Sequence, residues 1–194
     1  MKKLSISLAF VLIAAGVFAA QAQTGIKSVD FSNFSFDTSM SEPKTVKLTS
    51  GKFEDGGTYD AGFPLYELFG KPVYGDLNGD KSADAVVEIK MSAPSTLRAF
   101  EVQAFTFENG AAKMLARIDS EQAAGDYKRY FPKNSDVHYA GLNPPKIQNG
   151  RVIVEALTEG SFACPKYTAV FSYKLSGDKF VLSGKPVRKV FVCK

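Results

Sequence analysis

The sequence predicts a mainly β chain, folded as a single antiparallel β-sandwich or barrel-like domain with little helix. Three observations carry this expectation. Apolar and polar residues alternate in several segments, most cleanly at Tyr167, Ala169, Phe171, Tyr173 and Leu175, and a period of two is the period of a strand with one buried face. Turn chemistry separates those segments: Asn109-Gly110, Asn149-Gly150 and Gly177-Asp178 are residue pairs that accept the left-handed angles of tight hairpins. Segments rich in strand formers recur about every 8–12 residues, the spacing of sandwiches and barrels, while no helical period of useful length is present.

Along the chain, the first 22 residues read as a secretory leader. Lys2 and Lys3 precede an uncharged apolar run from Ile6 to Ala20, and Ala20-Gln21-Ala22 places small residues at a cleavage site. The run is about 15 residues, short of the roughly 20 that a spanning helix needs, and no basic stop-transfer cluster follows. Cleavage after Ala22 makes the mature chain periplasmic or secreted. Residues 23–43 form an N-terminal arm whose Phe31, Phe34 and Phe36 are too apolar for a free linker, and residues 44–194 form the β-rich domain.

Strands are expected at Lys44–Ser50, Ala85–Met91, Leu97–Glu108, Ala111–Ile118, Arg151–Leu157, Tyr167–Leu175, Lys179–Leu182 and Val187–Cys193, with a short one near Phe34–Phe36. The total is about eight to ten strands. Ser120–Asp126 suits one helical turn, and Tyr127–Pro145, with three prolines, reads as irregular. No internal repeat at a fixed period is present, which argues against a propeller.

Composition removes several function classes. The formal charge is +4, and loss of Lys2 and Lys3 with the leader lowers it to +2, with no basic run to suit nucleic acid. The single histidine, His138, cannot build a His-rich zinc centre. No G-x-S-x-G elbow is present. Cys164 and Cys193 are the only cysteines. In an exported chain an even count points to a disulfide, against the alternative of two free thiols or a redox pair, for which the close C-x-x-C spacing is missing.

One segment carries recognisable chemistry. In Gly75-Asp76-Leu77-Asn78-Gly79-Asp80-Lys81-Ser82-Ala83-Asp84, oxygen side chains fall at alternating positions: Asp76, Asn78, Asp80 and, after a gap, Asp84, with a backbone carbonyl near Ser82 as a further donor. Calcium takes six to eight oxygens at about 2.3–2.6 Å, and alternation lets a short loop curl around one ion. The loop opens like an EF-hand but lacks its closing glutamate, since the twelfth position is Val87. The alternative is a tight turn in which Asp and Asn bond their own backbone.

The D-x-N-x-D-x-x-x-D spacing is similar to the calcium loops of FG-GAP and integrin-type propeller repeats, which carry Gly where this chain has Lys81. Taken with Asp30-Phe31-Ser32-Asn33-Phe34-Ser35-Phe36, the loop running into the Ala85–Val87 strand, and Cys164-Pro165 before Tyr167–Tyr173, the chain resembles a family of uncharacterised bacterial exported or envelope proteins. That resemblance implies export and a β-rich fold and no activity.

The function expected is that of an exported non-enzymatic β-domain, calcium-stabilised at Asp76, Asn78, Asp80, Ser82 and Asp84. It would act as a binding or structural module whose partner is an unknown protein or glycan. No nucleic acid and no membrane span are expected. The alternative is a secreted hydrolase, for which His138 near Asp136 and the paired acids of the loop would be the starting points.

Overall fold

The computed structural model describes residues 25–40, 44–54, 64–93, 98–132, 137–138, 143–161 and 164–193. The leader inferred for residues 1–22 and Asp136 lie outside them. Fourteen strands and one α-helix are present among the described residues, so the chain is mainly β, as expected. The strands are β1 (Ser35–Asp37), β2 (Thr45–Lys47), β3 (Lys52–Glu54), β4 (Leu65–Leu68), β5 (Val73–Gly75), β6 (Asp84–Ser92), β7 (Arg98–Glu108) and β8 (Ala111–Asp119). After α1 (Ser120–Tyr130) come β9 (Val137–His138), β10 (Lys146–Gln148), β11 (Arg151–Ser161), β12 (Cys164–Ser176), β13 (Lys179–Leu182) and β14 (Val187–Val190).

They form three antiparallel sheets. The first large sheet has the order β3-β4-β6-β7-β8, with β5 beside β6. The second has the order β10-β11-β12-β13, with β9 on β11 and β14 on β12. A two-stranded ribbon, β1-β2, stands apart. No barrel closes among the described residues, and the two large sheets share a core as a sandwich does.

The hairpins form where turn residues permit it. Asn109 and Gly110 both have positive φ (53° and 83°), as do Asn149 and Gly150 (51° and 67°), the left-handed angles of a type I′ turn. They join β7 to β8 and β10 to β11. β12 alternates buried and open residues along most of its 13-residue length.

The sandwich has two hydrophobic layers. Between the large sheets lie Val86, Phe100, Val102, Ala104 and Ile118 from the first and Val152, Val154, Ala169, Phe171 and Tyr173 from the second. On the outer face of the first sheet a second core gathers Tyr66, Ala85, Val87, Ile89, Met91 and Phe105 beneath Ile26, Phe31, Phe36, Val46 and Leu48. These covering residues come from the N-terminal segment and the ribbon. The first sheet is therefore covered on both faces, and six consecutive residues of β6, Asp84 to Ile89, are buried. A sheet with both faces covered reads as a continuous apolar run rather than an alternation.

The helix is longer than the single turn that Ser120–Asp126 suggested, running eleven residues to Tyr130, so Tyr127–Tyr130 is helical rather than irregular. Asp119 caps it by accepting from the Gln122 N–H at 2.8 Å, which satisfies a donor that the first turn leaves free. Its only buried apolar residues are Ala123 and Tyr127, one turn apart. That two-residue stripe, interrupted by Gly125, is too thin to register as a helical period.

Candidate functional site

The acidic loop joins β5 to β6, and Gly75 pairs with Asp84 at its base. Gly75 lets β10 approach closely, since a Cβ there would meet Ile147 Cγ2 at 2.8 Å and force that side chain to shift. Leu77, 7% exposed, anchors the loop in the inter-sheet core.

The polar side chains of the loop bind its own backbone. Asp76 Oδ1 accepts from the Gly79 N–H at 2.6 Å and Oδ2 from the Lys81 N–H at 3.0 Å. Asn78 Oδ1 accepts from the Asp80 N–H at 2.9 Å. Asp80 Oδ1 accepts from the Ser82 N–H at 2.7 Å, and its Oδ2 accepts from Asn78 Nδ2 at 2.9 Å. The Ser82 N–H bond, followed by the Asn78 amide, holds the Asp80 carboxyl below its ordinary range, because donors aimed at a carboxylate favour its charged form. Gly79 and Lys81 take left-handed angles, φ 85° and 69°. For Gly79 this is free, whereas for Lys81 it costs about 1 kcal/mol.

Asp84 differs from the other three. Its side chain is wholly buried, Oδ2 accepts from the Leu77 N–H at 2.8 Å, and Oδ1 has no hydrogen-bond partner. Burial raises its pKa, against the N–H of Leu77, the Thr106 side chain and the Asn78 backbone, which lower it. Among the described residues no three His, Cys, Asp or Glu side chains stand together as a metal-ligating group. The loop borders an open groove of about 520 Å³, completed by Asn149, Gly150, Lys174, Leu175 and Gly177.

The two cysteines expected to pair do so. Cys164 and Cys193 form a disulfide with Cα atoms 5.7 Å apart, joining the start of β12 to the residues beyond β14. The backbone of His138 pairs with Leu157, and its side chain lies outside the described residues.

Sequence reading missed four buried carboxylates among the described residues, Glu88, Glu101, Asp126 and Glu159. Glu101 on β7 is fully buried and accepts from the Ser39 N–H and Oγ, both at 2.8 Å, from Thr38 Oγ1 at 3.3 Å and from Gln103 Nε2. Glu159 on β11 accepts from the Tyr127 hydroxyl and from Arg188 Nη1 at 2.8 Å. It has a left-handed φ of 59°, and its carboxylate ties α1 and β14 to β11. Glu88 on β6 is 2% exposed with Lys90 Nζ at 3.9 Å. For Glu88 a signal existed, a Glu amid Val86, Val87 and Ile89. Glu101 and Gln103 alternate with Phe100 and Val102 just as a solvent face would.

Compared with known proteins, the chain matches no family model, no curated protein and no solved structure.

Proposed function

We propose that the chain is an exported, non-enzymatic β-module, with a binding or structural role, whose acidic loop between β5 and β6 takes calcium. One observation carries the metal: the buried Oδ1 of Asp84 lacks a hydrogen-bond partner beside a loop that already holds Asp76, Asn78 and Asp80. An unpaired buried polar atom is costly, and a hard cation is a natural partner for a carboxylate oxygen. Asp76, Asn78, Asp80 and Asp84, with the backbone carbonyl near Ser82, would hold the ion, which would supply charge neutralisation and no reaction step.

The non-enzymatic reading draws support from how the buried carboxylates are used. Glu101 joins the N-terminal segment to β7, and Glu159 joins three elements, so both act as internal fasteners. Export draws support from the disulfide, which belongs to oxidising compartments.

Thermal melts with chelator and with excess calcium test the metal. Extracellular modules bind calcium at roughly 10⁻⁴–10⁻³ M, so at millimolar calcium the protein should gain about 0.4–1.4 kcal/mol. Asp80→Ala should abolish that gain. Identical melts in chelator and in calcium would remove the ion from the account.

A further inference from the structure

The outer face of the second sheet gathers cations from every long segment that builds it. Antiparallel partners share a face, so the registers place the side chains directly. Across one row Gln148 faces Arg151, Arg151 faces Lys174, and Lys174 faces Val181. Lys146 faces Ile153, Lys179 faces Ser176, and Lys189 faces Thr168, with Lys166 two residues further along β12 on the same side. All six cations, Lys146, Arg151, Lys166, Lys174, Lys179 and Lys189, are exposed. On the described strand positions of this face the one acid is Glu155, which accepts from Asn143 Nδ2 at 2.7 Å.

This arrangement works against folding. Arg151 and Lys174 stand directly opposite each other across β11 and β12, and like charges in that relation destabilise a sheet. The whole chain carries only +4, so the excess is local. A local field of one sign raises the concentration of the opposite charge at that surface.

The neighbours of these cations select the partner. Val181 and Val187, 51% and 58% exposed, lie on the same face, opposite Lys174 and Val170. None of the described strand positions on this face is Phe, Tyr or Trp, and His138, opposite Leu157, is its one ring-bearing position, which leaves sugars and bases without a broad stacking platform. Five of the six cations are lysine. Lysine is depleted where proteins meet proteins, and Arg and aromatic residues are enriched there. Lysines on a broad face with aliphatic side chains between them suit an anionic headgroup layer above an acyl boundary.

We propose that this face docks the protein peripherally on an anionic lipid surface, with the lysines and Arg151 on headgroup phosphates and Val181 and Val187 against the acyl boundary. The proposal rests on the reading of the chain as a binding module and is independent of calcium.

The test is co-sedimentation of the purified full chain, its N-terminus read by mass spectrometry, in the presence of chelator. One set of vesicles is phosphatidylcholine alone, and the other adds phosphatidylglycerol. Binding should require the anionic lipid and fall steeply with salt. The double variant Arg151→Glu/Lys174→Glu should weaken it by about tenfold or more with an unchanged or higher melting temperature. Val187→Ser should remove the part that survives high salt, and Lys113→Glu, on the first sheet, should leave binding intact. Equal binding to neutral vesicles, full binding by the double variant, or no vesicle binding would each overturn the proposal. If vesicles fail while a soluble acidic polymer is bound through Arg151 and Lys174, the lipid is wrong and the binding-module reading stands. If neither is bound through this face, both lose their support.

Discussion

Glu88 occupies a position that its residue type normally avoids. It lies mid-strand on β6 opposite Val102, 2% exposed, on the face turned to the inter-sheet core. Burial pushes its carboxyl up to about 8 from 4.5, and the Lys90 ammonium pulls in the other direction without prevailing. Burial likewise lowers the pKa of Lys90, against the attraction of Glu88. An acid whose pKa is raised on folding holds its proton more tightly folded than unfolded. Its contribution to stability is therefore complete below about 4.5 and is lost as pH rises through about 8. Each tenfold difference in proton affinity is worth about 1.4 kcal/mol, so the decline is large enough to measure. Urea denaturation across that window should show stability falling with rising pH, and Glu88→Gln should flatten the slope. An unchanged slope in that variant would place the titrating group elsewhere.

At the scale of elements, β14 is an edge strand fixed at its two ends by different chemistry. Arg188 reaches Glu159 and lies over the rings of Phe131 and Tyr167. Beyond Val190 the Cys164–Cys193 disulfide closes a loop with a sequence separation of 29. In the chain-entropy model a loop of that length contributes roughly 3–4 kcal/mol. Cys193→Ser should then lower the melting temperature by about 6–16 °C, at 2–4 °C per kcal/mol for a chain of this size. Limited proteolysis should cut first after β13. A variant that melts with the parent protein would show that β14 is held by Arg188 and its ladder alone.

For the whole molecule, the N-terminal segment works as a third layer. Phe31, Phe34, Phe36 and Phe105 form a cluster with ring centroids 4.9–6.3 Å apart, spanning the segment and the first sheet. Ser39 and Thr38 bring hydrogen-bond donors to Glu101. Removing residues 1–43 would uncover Val87, Ile89, Met91 and Phe105 and leave a buried carboxylate short of donors. The truncated chain should bind a hydrophobic dye and aggregate. The single change Phe36→Ala should cost about 3–5 kcal/mol in urea denaturation. A truncated chain that stays monomeric and melts with the parent would reduce the segment to an ornament.

The sequence alone determined what depends on neighbours along the chain. Asn109-Gly110 and Asn149-Gly150 specify their hairpins because their left-handed angles are a local property. The alternation of β12 specifies a strand with two unlike faces, and the chain's only two cysteines leave one possible disulfide, the one that forms. Tertiary structure alone decided what covers each face. A period of two separates the faces of a strand without naming their surroundings, so Glu101 and Gln103 read as solvent-facing until the N-terminal segment lies over them. The helix to Tyr130 needed Ala123 and Tyr127 buried in the inter-sheet core before its thin stripe had a partner. The six cations of the second sheet are scattered from Lys146 to Lys189 with no basic run, and only the pairing of five strands brings them to one surface. Contacts between residues distant in sequence carry no local pattern, and in this protein they position the buried charges and assemble the exposed ones.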